Sequence, residues 1–412
     1  MRRALLVLAP AVLAAQATPP AFDAEVKAGY ATLGKGEYLA ARNAFAAAAF
    51  DDRGRARDEG AFQSWLQFSP MVTGELPPDA MLRRAEVSPP DAAAAEAVRG
   101  ATAHDAVAEI VARAKRTRIV ILNEAHWSPR DRAFAWEVAR ALRPLGYRYL
   151  AAETFSPAQA GMPDGAERLA RDGFVRLNTG AYSKDPVFAG YLRQAVAIGY
   201  LPVAYEQRRD QYGDGSGGMP AREAAQTANL MTAIFAHDPA AKVLIHVGHS
   251  HLAEAPLRPD DSTDEWMALR LKRATGVDPL TIDQTTLTDL APAMRAAYPL
   301  AVAKLRGRPG VLFRGGRPLV VGQYAGAVDL QVVHPARAYR EGRPTWLRAL
   351  GGRAVAIPPA LLPVQGERLV QAFASDAPAD AVPLDQVLVT AGRPVPKLLL
   401  PAGMRVRYAV QP

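Results

Sequence analysis

The stretch Ile119-Val120-Ile121-Leu122-Asn123-Glu124-Ala125-His126 decides how the chain is read. A short apolar run ends in a carboxylate and an imidazole two residues apart, and Ser128-Pro129-Arg130-Asp131 follows at once. This pattern predicts a strand that stops, presents Glu124 and His126, and turns straight into a helix. Ser128 is the expected N-cap, Pro129 the first helical residue and Asp131 the carboxylate of the first turn. In an open α/β sheet, ligands bind just beyond the carboxyl ends of the strands. Glu124 and His126 would stand there, beside the positive end of a helix dipole. Taken alone, the stretch fits equally a strand end with two solvated polar residues.

Outward from this stretch, strands and helices alternate. Residues 106–114 form an amphipathic pattern with Val107, Ile110 and Val111 on one side, and the strand at 118–123 follows. Residues 129–142 carry Phe134, Val138, Ala141 and Leu142 on one face, and Pro144 with Gly146 ends them. A strand at 149–152 ends at Glu153, a helix covers 187–198, and a strand at 201–205 ends at Glu206. A helix at 222–236 leads to a strand at 242–247 that ends in Gly248-His249-Ser250-His251. A helix with Trp266, Met267, Leu269 and Leu271 precedes a last core strand at 279–285. The expected fold over residues 101–300 is therefore α/β, a largely parallel sheet with flanking helices. Residues 156–184 lack an apolar pattern and are expected to cover the site. Residues 207–220 are rich in glycine and charge and read as a flexible lid. Their Gly213-Asp214-Gly215-Ser216-Gly217-Gly218 lacks the G-x-S-x-G spacing of a nucleophile elbow.

The flanking regions differ in character. Residues 1–17 have a basic start, an apolar stretch and Ala15-Gln16-Ala17, the form of a cleaved signal peptide, which implies a periplasmic or secreted protein. Residues 18–100 read as a helical hairpin turning at Gly34-Lys35-Gly36, followed by a proline-rich irregular connection over 69–100. The spacing Gly36-x-Tyr38-x-x-Ala41-x-x-x-Phe45-x-x-Ala48 resembles the middle of one tetratricopeptide repeat, and a single repeat must lean on a neighbour. Residues 301–412 are a β-rich C-terminal domain, with short apolar runs between Gly and Pro. The chain of 412 residues has no cysteine, so disulfides and thiolate ligands are excluded. Its formal charge of +8 is scattered, without the basic run or finger motif of a nucleic-acid partner. No transmembrane segment is expected.

Four expected strands end in Glu124/His126, Glu153, Glu206 and His246/His249/His251. In a parallel sheet these groups gather on one edge. Residues two apart in extended chain point the same way, so Glu124 with His126, and His249 with His251, form two candidate pairs. The four suit a metal site, with a divalent metal such as Zn, Mn or Fe. They suit equally a metal-free acid–base site, in which a carboxylate holds a histidine that activates water. His246, inside its strand, also reads as a buried structural histidine. Arg222 is placed to meet an anionic group or a developing oxyanion, and Asn123, Glu206 and His246 to contact substrate.

Asn123-Glu124-Ala125-His126, Glu153, the helix Arg222-Glu223-x-x-x-x-x-Asn229 and Gly248-His249-Ser250-His251-Leu252 together resemble a superfamily. It unites erythromycin esterases, ChaN-like haem-binding lipoproteins and TraB/Tiki-type proteases. The resemblance covers roughly residues 103–290. The Arg222 helix is most similar to the esterases, and the Glu-x-His spacing to ChaN. Asn123 stands where glycine is usual in the family, and one residue fewer separates Glu124 from His126 than in the esterases. The resemblance implies a hydrolase of an ester, lactone or amide acting on a small-molecule or peptide substrate. In it Glu124, His126, Glu153, Arg222, His249 and His251 carry the catalysis. It implies as alternatives a haem- or iron-binding protein, or a metal-dependent hydrolase.

Overall fold

Three helices at the N-terminal side pack around aromatic rings. In this computed structural model, which describes residues 24–213, 217–257 and 265–412, α1 (Ala24–Gly34) and α2 (Tyr38–Ala49) form the expected hairpin. The chain reverses through Gly36, whose φ of +79° a side chain would disfavour. α3 (Glu59–Phe68) joins them, and Phe45, Phe62, Leu66 and Ala48 are fully buried between the three. The single repeat-like hairpin leans on the end of the chain. The Gln411 side chain accepts from Leu39 N (3.0 Å) and donates to Gly36 O (2.7 Å). The expected signal peptide at 1–17 and residues 214–216 of the glycine loop lie outside the described residues. The segment 69–100 is not wholly irregular. Pro70 opens a short helix, α4 (Pro70–Thr73), and Asp91 caps α5 (Ala92–Arg99). Proline at a helix start is tolerated because the first turn needs no N–H from it.

One mixed sheet forms the body. Its strands are β1 (Thr102–Asp105), β2 (Ile119–Glu124), β3 (Tyr149–Ala152), β4 (Leu201–Val203), β5 (Val243–Gly248), β6 (Leu280–Asp283), β7 (Gly310–Arg314), β8 (Arg317–Pro318) and β9 (Leu330–Val333). The order is β1-β7-β9-β6-β2-β5-β3-β4, with β8 beside β7. From β9 to β4 neighbouring strands are parallel, and β7 runs against them. β2 and β5 lie in the middle and are buried at every residue. Their runs of Val, Ile and Leu do not alternate with polar residues because both faces are covered. On one face lie α6 (Ala106–Ala114), α7 (Pro129–Leu142), α8 (Gly165–Asp172) and α9 (Pro186–Ala197). On the other lie α10 (Gly218–Leu230) and α11 (Met267–Thr275), with α5 and α12 (Tyr298–Val302) towards the antiparallel edge.

The architecture is the expected α/β sheet with flanking helices, and its strands and helices differ from the expectations in three places. The sheet does not stop at 285: β7, β8 and β9, from the region read as C-terminal, complete its edge. Residues 156–184 contain α8, which Asp164 caps. The helix expected from 222 begins at Gly218 and ends in a π turn over Met231–Phe235.

The remaining chain is antiparallel. β10 (Tyr339–Arg340) pairs with β11 (Arg343–Pro344), and β12 (Arg353–Val355) with β15 (Leu398–Leu400). β13 (Glu367–Ala374) lies between β14 (Asp385–Thr390) and β16 (Val406–Gln411). Among the described residues no helix is long and apolar enough to cross a membrane.

Candidate functional site

The turn after β2 is built as its sequence implies. Ser128 caps α7, its Oγ accepting from Asp131 N (3.3 Å) and donating to Asp131 Oδ1 (2.7 Å). Asp131 Oδ2 in turn accepts from Ala125 N (3.0 Å), which pins the backbone between Glu124 and His126. Burial pushes the Asp131 carboxyl up to about 7.

Glu124 and His126 point to the same side, and His126 Nδ1 lies 3.0 Å from Glu124 Oε1. Arg132, one turn into α7, holds the other side of the carboxylate. Its Nε donates to Oε2 (2.7 Å) and its Nη2 to Oε1 (2.9 Å) and to His126 O (2.8 Å). Its Nη1 donates to Asp185 Oδ2 (2.8 Å) at the start of α9. Burial alone would raise the Glu124 pKa, but the Arg132 guanidinium and the bonds from His126 and Arg132 outweigh it and hold it at about 2. An ionised carboxylate only accepts, so the proton of the His126 ring belongs on Nδ1 and Nε2 keeps its lone pair. That Nε2 is buried and has no hydrogen-bond partner among the described residues. The ring lies flat against Tyr182, with centroids 3.8 Å apart and an 11° interplanar angle.

β5 runs beside β2, and Gly248 faces Glu124 in register. A Cβ on Gly248 would stand 2.5 Å from His126 Nε2 and 3.0 Å from Glu153 Oε2. The missing side chain lets the His126 ring and the Glu153 carboxylate both pack directly on Gly248.

A second cluster is centred on Arg222. Its Nη2 donates to Glu153 Oε1 (2.7 Å) and to Glu206 Oε2, and its Nε donates to Glu206 Oε1 (3.0 Å). Its Nη1 lies 2.9 Å from His251 Nε2, and His251 Nδ1 lies 2.6 Å from Glu223 Oε1. Glu153 Oε2 also accepts from Gly248 N. Burial opposes ionisation of Glu153, yet His251, Arg222 and His126 together hold its pKa well below the usual range. Burial likewise opposes charge on Arg222, and Glu206 and Glu153 outweigh it.

The remaining candidates support rather than face the cleft. His246 Nε2 lies 3.7 Å from Glu124 Oε2, and the ring packs edge-on to Phe188 and Tyr191. Burial lowers it to about 4, so it is neutral. Asn123 Nδ2 donates to His249 O and to Asp283 Oδ1, both at 3.0 Å, and ties the ends of β2 and β6 to the turn after β5. It is a brace and not a substrate contact.

The His249–His251 pair does not form as expected. The chain leaves β5 as a 3₁₀ turn, with His249 at φ +38°, so the two rings diverge. His249 turns towards Trp127 (5.0 Å) and His126 (5.2 Å), while His251 joins Arg222. Burial, and then His126, lower His249 to about 3. Consequently Glu124, His126, His249 and His251 do not converge as metal ligands. Both Glu124 oxygens are occupied by Arg132, and His251 faces a guanidinium. Among the described residues no group of three or more His, Asp or Glu side chains is arranged to hold a metal.

An open cleft of about 790 Å³ lies over the second cluster. Glu153, Glu206, Arg222 and Tyr182 form its floor, and residues 155–160 and 207–212 contribute walls that include Phe155 and Tyr212. No histidine lines it, so this cleft offers haem no imidazole ligand. No protein-family model, curated protein or solved structure matches the chain. The site is therefore argued from its own geometry.

Three contributors escaped the sequence reading, and a fourth, Glu223, was quoted in its motif without a role. Arg132 and Asp185 support Glu124, Tyr182 supports the His126 ring, and Glu223 positions His251. Arg132 carried a signal: it shares a helix stripe with the buried Ala135, Ala139 and Leu142, where an arginine requires a carboxylate partner.

Proposed function

We propose that the chain is a hydrolase of neutral esters, lactones or amides, exported by its N-terminal segment, with His126 as general base. One observation carries this reading. Glu124 holds one nitrogen of a buried imidazole, and the other nitrogen is unpartnered where the ring and Glu153 both close on Gly248. An orienting carboxylate that fixes the tautomer, with a free lone pair opposite, is what general-base activation of water requires.

The substrate carbonyl would enter over Tyr182, between Glu153 and Glu206, while His126, which lies flat against Tyr182 beneath the cleft and does not line it, would act through a water held at its Nε2. His126 Nε2 takes a proton from a water that Glu153 orients, and the water oxygen bonds to the carbonyl carbon. The carbonyl π pair moves onto its oxygen, and Arg222 balances that charge. When the intermediate collapses, the bond to the leaving alkoxide or amine breaks, and the His126 imidazolium returns the proton to it. The carboxylates Glu124, Glu153, Glu206 and Glu223 outnumber Arg132 and Arg222, which favours neutral substrates over anionic ones. The order of the motifs, resembling the erythromycin esterases, agrees with this reading.

The test is proton release in a pH-stat with p-nitrophenyl butyrate, a macrolide lactone and a p-nitroanilide. The wild type is expected to turn over at least one of them, and His126→Ala to lose about 10²–10⁴-fold in kcat with its melt nearly unchanged. Absence of turnover on all three, or activity retained in the variant, overturns the reading.

A further inference from the structure

Far from the Arg222 cluster, a second cleft of about 790 Å³ opens between α9 and the C-terminal strands. Its walls are mainly apolar and include Phe174, Val187, Leu350, Leu384 and Leu399. The volume falls in the range of about 300–1,000 Å³ usual for small-molecule sites.

Two cations line it, Arg193 of α9 within the cleft and Arg405, exposed at its rim. Arg193 of α9 has no hydrogen-bond or ion-pair partner among the described residues. Its guanidinium lies beside Gly190, one turn earlier, and Leu350: a Cβ on Gly190 would make ordinary contacts with Arg193 Nη2 (3.9 Å) and Leu350 Cδ1 (3.7 Å). The head group therefore lies on the cleft wall, against leucine. Burial without a neighbouring carboxylate brings Arg193 down to about 10. Buried Arg168 is met by the backbone carbonyls of Pro163 and Asn178, and three other buried arginines are matched by carboxylates. Arg132 holds Glu124 and Asp185, Arg222 holds Glu153 and Glu206, and Arg343 holds Asp385.

The acids near Arg193 do not serve it. Asp385 spends both oxygens on Arg343 (2.7 and 2.8 Å) and one of them also on Leu399 N (2.7 Å). Asp376 and Arg405 are both exposed at the rim. The interior thus combines an apolar wall with one unmatched guanidinium, whose planar fork suits a carboxylate in two-point contact.

We propose that this cleft binds an amphipathic carboxylate, its anion on Arg193 and its alkyl chain against Val187, Leu350 and Leu399. The site is separate from the proposed catalytic cleft and does not depend on it.

Isothermal titration of the full chain with decanoate, decanol and decyltrimethylammonium tests this. Decanoate is expected to saturate one site and to bind more tightly than the other two. Arg193→Gln should weaken decanoate about tenfold or more, leaving decanol unchanged. Arg193→Lys should retain part of the affinity. His126→Ala should bind decanoate as the wild type does, which separates this result from the fate of the hydrolase reading. Overturning results are decanoate bound no better than decanol, no saturable binding, or unchanged affinity in a folded Arg193→Gln protein.

Discussion

Arg132 is the residue on which the Glu124–His126 pair depends. It touches no part of the cleft, yet three of its nitrogens hold Glu124, the His126 carbonyl and Asp185. Arg132→Ala would leave two buried carboxylates without their cation. We expect a loss of about 3–5 kcal/mol in urea unfolding, the usual cost of breaking a buried pair. The neutral histidines give a pH dependence. His246 and His249 are held at about 4 and about 3, against 6.5 for a free imidazole. The unfolded chain takes up protons on both below about 6.5, before the folded chain does. Their contribution to stability is full above that pH and is lost as pH falls through the folded values. Asp131 acts in the opposite sense: it is raised to about 7 from 3.8, so its contribution is lost as pH rises towards 7. His249→Asn, which tolerates the positive φ, should therefore lose less stability than the wild type between neutral and mildly acid urea titrations. At this scale Glu124, His126, Glu153, Glu206 and Arg222 were legible, because the first four follow apolar runs and Arg222 lies near the start of the helix after the glycine loop. Arg132 was not, because Arg130-Asp131-Arg132 reads as an ordinary first turn until its burial is seen.

At the scale of elements, the site is a product of parallel strands and a missing side chain. Strand ends at 124, 153 and 248 are neighbours because β2, β5 and β3 are adjacent in the sheet. A shared edge was inferred from alternation alone, and the strand order was not. What alternation could not show is that Gly248 must be glycine. Gly248→Ala would drive Cβ to 2.3 Å from His126 Cε1. The ring or Glu153 must move, and displacement of a reacting group by about 1 Å costs about 10²-fold. We expect that loss in turnover, with a smaller effect on the melt, measured on the same preparation. The divergence of His249 and His251 was equally hidden, since a two-residue spacing implies one face only while the chain stays extended.

Across the whole molecule, the ends of the chain meet. β13 supplies Leu369 to the core of the N-terminal helices, Gln386 Nε2 donates to Met71 O (2.6 Å), and Gln411 of β16 caps the α1–α2 turn. Removal of residues 367–412 should therefore lower the melting temperature and make α1 and α2 protease-sensitive, although both are remote from the cut in sequence. Limited proteolysis of the truncated chain checks this. Such long-range contacts leave no periodic trace in sequence. For the same reason the joining of β7 and β9 to the main sheet was not legible, as each is a short apolar run with no local sign of its partner.

The central claim is that Glu124 keeps the His126 proton on Nδ1 and leaves Nε2 free for water. A heteronuclear NMR spectrum of the isotope-labelled protein in mildly alkaline buffer reads this tautomer directly, with His126→Ala assigning the ring. The account predicts a protonated Nδ1 and a bare Nε2. A ring protonated on Nε2 with a bare Nδ1 would contradict it.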